Sequence, residues 1–511
     1  MKKTLDIVFT SDTHGHVFPV NYAANTAEAS GLLCIASQEP KGENMLVLDG
    51  GDSLQGTPMI QYYLSHKEEF DAHPVAEAFG AMGCDYFTLG NHDFNHGYDP
   101  IRDYLRAMKA TCVCANVEDL RGELSFVPWT VHTLENGLRV GITGAVTEYV
   151  NVWEQKEHLS ELRVNEPIAA LKKALETMRP LCDVTVCIYH GGFEEDLTTG
   201  ELLSQTTENL ACKIARTLDF NLLLTGHQHM AVAQAVIANT HAVQPPANAA
   251  RYIKIHLEEE AGKCEIHSYL ESVKSAEIAE SVRTVYEKLL PVEYAVQQWL
   301  DQPIGSFAKA IPAIEDKIEL ACHGTQLVSL FNQVQLDSSG ADFSCTSLAN
   351  TPAGFGERVT MRDVCSAYLF SNTLVMVEVD ETVIRTALER CASYFDLADG
   401  QPVVSERFLK PKIEHYNYDF YAGLHYVFDL RKPLGQRVVE LTLLDGTPLG
   451  DKKYRLIASD YRSTGTGGYE AIGKCPVVWR GTDEMPQLIA DFIRKHSPVG
   501  TITNSDFEVI W

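Results

Sequence analysis

Short apolar runs, each closed by polar residues that can bind a metal ion, recur along the first half of the chain. Their length and composition predict strands over residues 4–10, 45–48, 86–89, 183–189 and 221–224. Helical spacing of apolar residues predicts helices over 74–82 and 167–178, the second closed by Pro180. Strands that alternate with helices indicate a layered α/β domain whose functional groups gather at the carboxyl ends of the strands.

The second half of the chain has a different pattern. It predicts strands over 372–379, 438–444 and 454–458 and a helix over 381–394. Residues 277–300 have helical spacing around Pro291, which favours a helical connection between two domains. A chain of 511 residues is longer than a single hydrophobic core usually accommodates. We therefore predict an N-terminal metal-binding domain over 1–270, a helical linker over 271–304 and a C-terminal domain over 305–511.

Composition and charge narrow the class of partner. The formal net charge of −27 repels nucleic-acid polymers, whereas small anions remain possible if a metal ion supplies local positive charge. No stretch of 18 or more apolar residues predicts a membrane span, and the first apolar segment is too short for a signal peptide. The 13 cysteines are dispersed, which indicates free thiols in a reducing compartment. A cytoplasmic enzyme without a membrane or nucleic-acid partner is expected.

Seven candidate metal ligands stand after the predicted strands. They are Asp12, His14, Asp52, Asn91, His190, His227 and His229. A set of oxygen and nitrogen ligands without thiolates suits Mn²⁺, Zn²⁺, Fe²⁺ or Co²⁺ better than Ca²⁺. Asp52 follows two glycines that allow a close approach to an ion, and it is placed to bridge two cations. Any one of these residues alone would be a weak signal, and their repetition at strand ends carries the prediction.

Two cations about 3.5 to 4 Å apart would clamp the attacking and leaving oxygens of a displacement at phosphorus. A metal-bound water is then the expected nucleophile. His92 follows Asn91 directly and is placed beside the metals, where it would stabilise the phosphoryl oxygens or protonate the leaving alcohol. The chain therefore reads as a two-metal phosphohydrolase.

The same residues carry a resemblance to a known family. The order Asp12-x-His14, Gly51-Asp52, Gly90-Asn91-His92-Asp93, His190 and Gly226-His227-x-His229 is similar to the motif set of calcineurin-like metallophosphoesterases. The longer context resembles the 5'-nucleotidase and 2',3'-cyclic-nucleotide phosphodiesterase family within it. This resemblance implies a four-layer α/β metallophosphoesterase domain followed by an α+β domain that binds the nucleoside.

The resemblance also implies roles for individual residues. One metal would be held by Asp12, His14, Asp52 and His229, and the other by Asp52, Asn91, His190 and His227. The family stacks the base between two aromatic rings, and the matching positions are Tyr418 and Tyr469. Stacking of this kind is worth about 1 to 3 kcal/mol and tolerates any base.

Two departures from the family pattern bear on catalysis and specificity. Asn95 stands where the family commonly has an aspartate that orients the catalytic histidine, and an asparagine can orient His92 without adding charge. The usual Asn-Gly-Gly-x-Arg phosphate clamp is replaced by a segment that begins at Asn350, and Arg358 is the nearest cation. Asn350 and Arg358 are therefore the candidate phosphate-binding residues, and a 5'-monophosphate is not the assured substrate.

The leading hypothesis is a two-metal phosphohydrolase that releases phosphate from nucleotides, as a 5'-nucleotidase or a 2',3'-cyclic-nucleotide phosphodiesterase. An alternative within the enzymes is a nucleotide-sugar or dinucleotide pyrophosphohydrolase that uses the same site. From another class comes a catalytically silent nucleotide-binding module. A complete ligand set argues against the silent module, because stacking a base needs no metal. The sequence leaves the oligomeric state and the metal identity open.

Overall fold

The chain divides into two compact units, Met1–Gln297 and Gln298–Trp511. This computed structural model describes residues 2–203, 206–370, 372–410, 412–481, 483–504 and 506–511. The division between the units lies inside the segment 271–304. The assignment of that segment to a separate linker stays a prediction.

The described part of the first unit forms sixteen strands and the helices that connect them. The strands are β1 Lys3–Thr10, β2 Val20–Asn21, β3 Thr26–Ala27, β4 Met45–Asp49, β5 Tyr86–Phe87, β6 Thr111–Cys112, β7 Val117–Asp119, β8 Trp129–Thr133, β9 Arg139–Val146, β10 Leu162–Val164, β11 Val184–His190, β12 Leu222–Thr225, β13 Val232–Ile237, β14 Thr240–Gln244, β15 Arg251–Glu260 and β16 Lys263–Ser272. The helices are α1 Leu32–Gln38, α2 Pro58–His66, α3 Pro74–Met82, α4 Tyr98–Ala107, α5 Val150–Trp153, α6 Pro167–Met178, α7 Ala211–Leu218 and α8 Glu280–Leu300, which continues beyond the division.

Two six-stranded mixed sheets organise this unit. The first has the order β16-β15-β1-β4-β5-β6 and the second the order β13-β14-β12-β11-β9-β8. Strands β1, β4, β5 and β6 run parallel, and so do β9, β11, β12 and β14. Parallel neighbours bring their carboxyl ends to one edge of each sheet. The loops that follow these strands are therefore gathered where the candidate ligands stand.

The core of this unit lies mainly between the two sheets. Ile7 and Leu48 from the first sheet belong to one buried cluster with Ile142 and Ile188 from the second. A second cluster joins α6 and α7 to the opposite face of the second sheet, where Tyr189 is buried. The other face of the first sheet is also covered, since Val8 and Val47 are only 1% exposed. These are the layers of the four-layer α/β fold that the resemblance implies.

The second unit is smaller and mixes helices with short sheets. Its helices are α9 Lys317–His323, α10 Gln326–Ser339, α11 Met361–Ala367, α12 Glu381–Ala392, α13 Asp460–Ser463, α14 Glu470–Gly473 and α15 Met485–His496. Its strands are β17 Pro303–Ser306, β18 Phe343–Thr346, β19 Arg358–Thr360, β20 Leu374–Val379, β21 Phe395–Ala398, β22 Gln401–Val404, β23 Phe420–Ala422, β24 Leu424–Asp429, β25 Val438–Leu443, β26 Tyr454–Ser459, β27 Val477–Arg480 and β28 Asp506–Ile510.

Most strands of the second unit belong to two sheets. A five-stranded sheet has the order β23-β18-β26-β20-β27, and a three-stranded sheet has the order β25-β24-β28. Both sheets pack with the surrounding helices into one buried cluster that includes Leu330, Val377 and Tyr426. This is the α+β arrangement expected for the C-terminal part.

The elements predicted from the sequence are largely confirmed. Helices α3 and α6 have the predicted bounds, and α8 runs through Pro291 without a break. Strand β5 is shorter than predicted, because the chain leaves the sheet after Phe87 to form the loop that carries Asn91. Within the described residues, no helix is both long enough and apolar enough to cross a membrane.

His73 caps the start of α3 and makes the stability of the first unit depend on pH. Its Nδ1 accepts a hydrogen bond from the Ala76 N–H, and burial lowers its pKa to about 4. An unfolded histidine titrates near pH 6.5. As the pH falls below 6.5, the unfolded chain binds the proton first, so the stability contributed by neutral His73 decreases down to pH 4.

We expect His73→Asn to keep the helix cap and to remove this titration. The loss of unfolding free energy between pH 7 and pH 5, measured by urea titration, should be about 2 kcal/mol smaller in the variant than in the wild type. His267→Asn, at a position half-exposed to solvent, is the matched control. An unchanged pH dependence in His73→Asn would contradict this assignment.

Candidate metal centre

The first unit brings the seven candidate ligands together from five strand ends. Asp12 and His14 follow β1, Asp52 follows β4, Asn91 follows β5, His190 closes β11, and His227 and His229 follow β12. The first five are at most 8% exposed, and the last two are half-buried. Residues separated by more than 200 positions in sequence thus form one buried polar site.

Two clusters of ligand atoms have the spacing of metal sites. Asp12, His14 and His229 form one, and Asp12, Asp52 and His190 form the other, with the ligand atoms of each within 4.8 Å of one another. Asp12 is common to both clusters, whereas the sequence led us to expect Asp52 as the bridging residue. The bridging role of Asp52 stays a prediction.

Ring nitrogens and side-chain oxygens face each other at short distances across the site. His14 Nε2 lies 3.2 Å from His229 Nε2, and His190 Nε2 lies 3.1 Å from Asp52 Oδ2 and 3.2 Å from Asn91 Oδ1. The buried Oδ2 of Asp52 accepts no well-aligned hydrogen bond among the described residues. Buried acceptors without donors are costly unless a cation lies between them. The donor set therefore fits two divalent cations.

The opposite ring nitrogens are held by other groups, which sets the tautomers. His190 Nδ1 lies 2.7 Å from the carbonyl oxygen of Gly50, and His14 Nδ1 lies 3.1 Å from that of Gln55. A carbonyl only accepts, so each Nδ1 carries a proton, and Nε2 is the nitrogen that each ring would present to a metal ion. In His227 the roles are exchanged, since Nε2 faces Glu208 at 3.0 Å and Nδ1 faces Asn91.

The backbone of the ligands is strained. Asp12, His14, Asp52, His227 and His229 all have positive φ values, between 49° and 75°. Residues other than glycine rarely adopt this backbone conformation, and each instance costs of the order of 1 to 3 kcal/mol. The sharp turns direct side chains from successive positions into the same site. Strain concentrated on the candidate ligands is typical of a functional centre.

Asp93 joins the two loops that carry Asp52 and Asn91. Its carboxylate accepts hydrogen bonds from the backbone N–H groups of Gly90, Asp52, Ser53 and Leu54, at 2.8 to 3.0 Å. Burial, together with the charge of Asp52, raises the pKa of Asp93 above its usual range. The four donors nevertheless make this carboxylate a fixed link between two strand ends.

The potential at the site favours cations. Burial alone would lower the pKa of His190, but the charges of Asp52 and Asp12 outweigh it and raise the pKa to about 10. Burial would likewise raise the pKa of Asp12, yet its contacts with His229 and His190 hold that pKa well below its usual range. The same carboxylates that attract a proton to His190 would attract a divalent cation, which competes for that nitrogen.

His92 and Asn95 form the expected pair. His92 Nδ1 lies 2.8 Å from Asn95 Oδ1, and the His92 ring centroid is 5.6 Å from that of His14. The His92 N–H donates to Asp52 Oδ1 at 2.7 Å. The histidine is thus fixed beside the ligand clusters, and its catalytic role stays a prediction.

Three residues around the site were not identified from the sequence. Trp153 stacks on His227 with ring centroids 5.3 Å apart, Glu208 contacts His227, and Glu154 contacts Asn95. Trp153 and Glu154 lie at the end of α5, after β9, a strand that was not among the five predicted to contribute to the site. Glu208 lies in the loop before α7 and has no local signal in the sequence.

In the second unit, the two predicted stacking rings are buried. Tyr418 is 3% exposed, and its hydroxyl donates to the Ala321 carbonyl. Tyr469 is 1% exposed, and the Arg462 guanidinium lies over its ring, with Cζ 3.9 Å from the ring centroid. In this arrangement neither ring offers a free face to a base. The assignment of Tyr418 and Tyr469 to base stacking stays a prediction.

Asn350 and Arg358, the two candidate phosphate-binding residues, have different surroundings in the second unit. Asn350 Nδ2 donates to the Ile413 carbonyl and Oδ1 accepts from the His415 N–H, both at 3.0 Å. Arg358 is exposed on β19, where its backbone pairs with Ser306. Asn350 therefore anchors the segment that leads to Tyr416, and the role of both residues in phosphate binding stays a prediction.

Two family models match the chain. Residues 5–231 match the calcineurin-like phosphoesterase model, and residues 303–474 match the C-terminal domain of 5'-nucleotidases. Each match falls within one of the two units. Calcineurin-like phosphoesterases use two divalent metal ions, in agreement with the two clusters described above.

Individual relatives cover almost the whole chain. A 2',3'-cyclic-nucleotide 2'-phosphodiesterase/3'-nucleotidase from Haemophilus influenzae is 25% identical over 99% of this chain and 87% of that protein. The trifunctional nucleotide phosphoesterase YfkN of Bacillus subtilis is 22% identical over 99% of this chain, which spans only 39% of YfkN. The crystal structure of a candidate 5'-nucleotidase from Staphylococcus aureus superposes with a TM-score of 0.89 and 29% identity over all of both chains.

The close approach of Gly90 to Asp52 yields a test of the metal site. A Cβ at position 90 would lie 2.1 Å from Asp52 Oδ1 and 2.4 Å from its backbone nitrogen, so Asp52 would have to move. We expect Gly90→Ala to weaken metal binding by about 10- to 100-fold. The metal content after dialysis, measured by plasma mass spectrometry, reports the change.

Gly42→Ala is the matched control, because the nearest atom to its added Cβ is 3.9 Å away. Full metal content in Gly90→Ala would show that Asp52 does not hold a metal.

Proposed function

Because the chain belongs to the 5'-nucleotidase family of calcineurin-like phosphoesterases, we propose that it hydrolyses 2',3'-cyclic nucleotides and nucleoside 3'-monophosphates in preference to 5'-monophosphates. The observation that carries the hydrolytic activity is the pair of ligand clusters with His92 beside them. Within this proposal Asp12, His14, Asp52, Asn91, His190, His227 and His229 hold two divalent ions.

Bound divalent ions supply charge neutralisation at the phosphoryl group and lower the pKa of water. The protein residues orient the ester and handle the proton of the leaving group. His92 Nδ1 is engaged by Asn95, so Nε2 is the ring atom that exchanges a proton with the leaving oxygen. The backbone N–H of His92 donates to Asp52 Oδ1, which fixes the loop that carries this ring beside the ligand clusters.

The preference for cyclic and 3'-esters rests on the second unit and on the relatives. The Asn350 side chain is engaged by the backbone of Ile413 and His415, so it is poorly available to clamp a 5'-phosphate. The H. influenzae relative is named for the 2',3'-cyclic and 3'-activities.

We propose Tyr416 and Tyr461 as the rings that contact the base. Both are half-buried, in contrast to Tyr418 and Tyr469. Both also meet Arg462, whose Nη2 donates to the Tyr416 carbonyl at 3.3 Å and whose Cζ lies 5.6 Å from the Tyr461 ring centroid. The buried ion pair of Arg462 with Asp419 fixes this arrangement, with Nε 2.7 Å from Asp419 Oδ2.

We further propose that the bound ions are Mn²⁺ and that the protein works in a reducing, cytoplasmic environment. The oxygen and nitrogen donors without thiolates suit Mn²⁺, with Zn²⁺, Fe²⁺ and Co²⁺ as the other candidates. All 13 cysteines are free. Buried unpaired thiols are typical of proteins that work where disulfides are kept reduced.

The substrate preference is tested with purified, Mn²⁺-loaded protein. We expect hydrolysis of 2',3'-cyclic AMP and 3'-AMP at a kcat/KM at least about tenfold above that of AMP, because the 5'-phosphate lacks its clamp. Product detection by chromatography covers all three, with UDP-glucose as a fourth substrate and EDTA as the metal-free control. A preference for AMP would make the protein a 5'-nucleotidase, and a preference for UDP-glucose would establish the pyrophosphohydrolase alternative.

Replacement of His92 separates an enzyme from a silent binding module. His92→Ala should lower kcat by about 10²- to 10⁴-fold while the metal content stays at two ions per chain. His132→Ala removes a half-buried histidine away from the ligand clusters, where it contacts Tyr86, and is the control. Unchanged turnover in His92→Ala would remove this residue from the proposed mechanism.

A further inference from the structure

We infer that Glu154 is a positioning residue for His92: it orients the amide of Asn95 and thereby decides which nitrogen of the His92 ring carries the proton. The inference rests on the proposed role of His92. Asn95 Nδ2 donates to Glu154 Oε2 at 2.9 Å, and Asn95 Oδ1 lies 2.8 Å from His92 Nδ1. The three side chains form one hydrogen-bonded series that leads away from the ligand clusters.

The direction of each hydrogen bond follows from the carboxylate. An ionised carboxylate only accepts, whereas the two ends of an asparagine amide differ. Glu154 therefore selects the amide nitrogen, and the amide oxygen must face the histidine. An oxygen at that place accepts only from a protonated Nδ1. The His92 Nε2 edge is then the one left for the substrate.

Glu154 is itself held in place. It follows α5 as the C-cap residue, and its side chain is only 7% exposed. Its Oε1 accepts from the Gln155 N–H and faces His158 Nδ1, both at 2.8 Å. Both carboxylate oxygens thus have partners, so the group is fixed in position and orientation. A histidine keeps one tautomer when the group that binds its ring nitrogen is itself held in place, as Glu154 holds Asn95.

The same contacts explain why an asparagine fits at position 95. An aspartate there would place a second carboxylate at hydrogen-bond distance from Glu154, and like charges at that distance repel. In the family, the residue that orients the catalytic histidine commonly carries the negative charge. Here Asn95 takes that place, and the charge lies on its hydrogen-bond partner Glu154. Asn95 and Glu154 therefore form a matched pair, and each should be replaceable only together with the other.

This pairing predicts opposite effects of one substitution in two backgrounds. Glu154→Met removes the acceptor, allows the Asn95 amide to turn, and should lower kcat by about 10- to 100-fold with KM changed less than twofold. Asn95→Asp should impair the wild type. In Glu154→Met, however, Asn95→Asp should restore kcat to within about threefold of wild type, because a carboxylate accepts from Nδ1 in either orientation. Glu157→Met, an exposed acid on the same segment, is the control.

A second readout does not depend on turnover. In protein labelled with ¹⁵N-histidine and loaded with Zn²⁺, the signal of His92 is identified by its loss in His92→Gln. We expect Nδ1 to be protonated in the wild type and the proton to shift to Nε2 in Glu154→Met. Glu154→Leu, which also removes the acceptor, serves if Glu154→Met does not fold.

The outcomes are distinct. An unchanged His92 tautomer in the Glu154 variants, or equal effects of Asn95→Asp in both backgrounds, would overturn the positioning role. A shifted tautomer together with full activity of His92→Ala would leave the positioning intact and refute the catalytic role of His92 instead. Two metal ions per chain in each variant show that the ligand clusters are preserved.

Discussion

The carboxylates of Asp12 and Asp52, almost fully buried at the point where two sheets meet, are the constraint on which the rest of the first unit depends. Buried anions are stable only with compensating charge or hydrogen bonds. The chain supplies both, through His190, His229 and the backbone N–H groups of His92 and His227. The strained backbone, the packing of Gly90 against Asp52 and the orientation of the rings all serve to bring compensating groups to these two acids.

Much of the fold followed from local patterns in the sequence. Strands such as β11 are buried along their whole length and read as continuous apolar runs, and helix α6 shows regular helical spacing. The candidate ligands could be found because each stands at the end of a strand or within a few residues of it, so that a short motif marks both an element boundary and a chemical group. The resemblance to a known family added the assignment of ligands to two metals.

The residues that were not predicted are not part of the short motifs that contain the ligands. Glu154 and Glu208 reach the site from loops, and nothing in the neighbouring sequence distinguishes them from surface acids. The two tyrosines chosen for base stacking match the family in position, but burial differs between adjacent residues. Tyr416 is half-buried and Tyr418 is buried, although they stand two positions apart in the same run of aromatic residues. The tertiary packing distinguishes them, since Tyr418 lies against Tyr394 and Phe420 in the core.

The candidate ligands span the chain from Asp12 to His229, and this order has a consequence for biosynthesis. The acids leave the ribosome first, with Asp12 and Asp52, while His190, His227 and His229 follow more than a hundred residues later. A nascent chain that has reached β5 but not β11 thus carries the acidic ends of β1 and β4 without these imidazole partners. In that interval Asp12 and Asp52 are left with their mutual charge repulsion. Metal ions bound at the finished centre would then cross-link β1 with β12, and closing so long a loop is where a cross-link restricts the unfolded chain most.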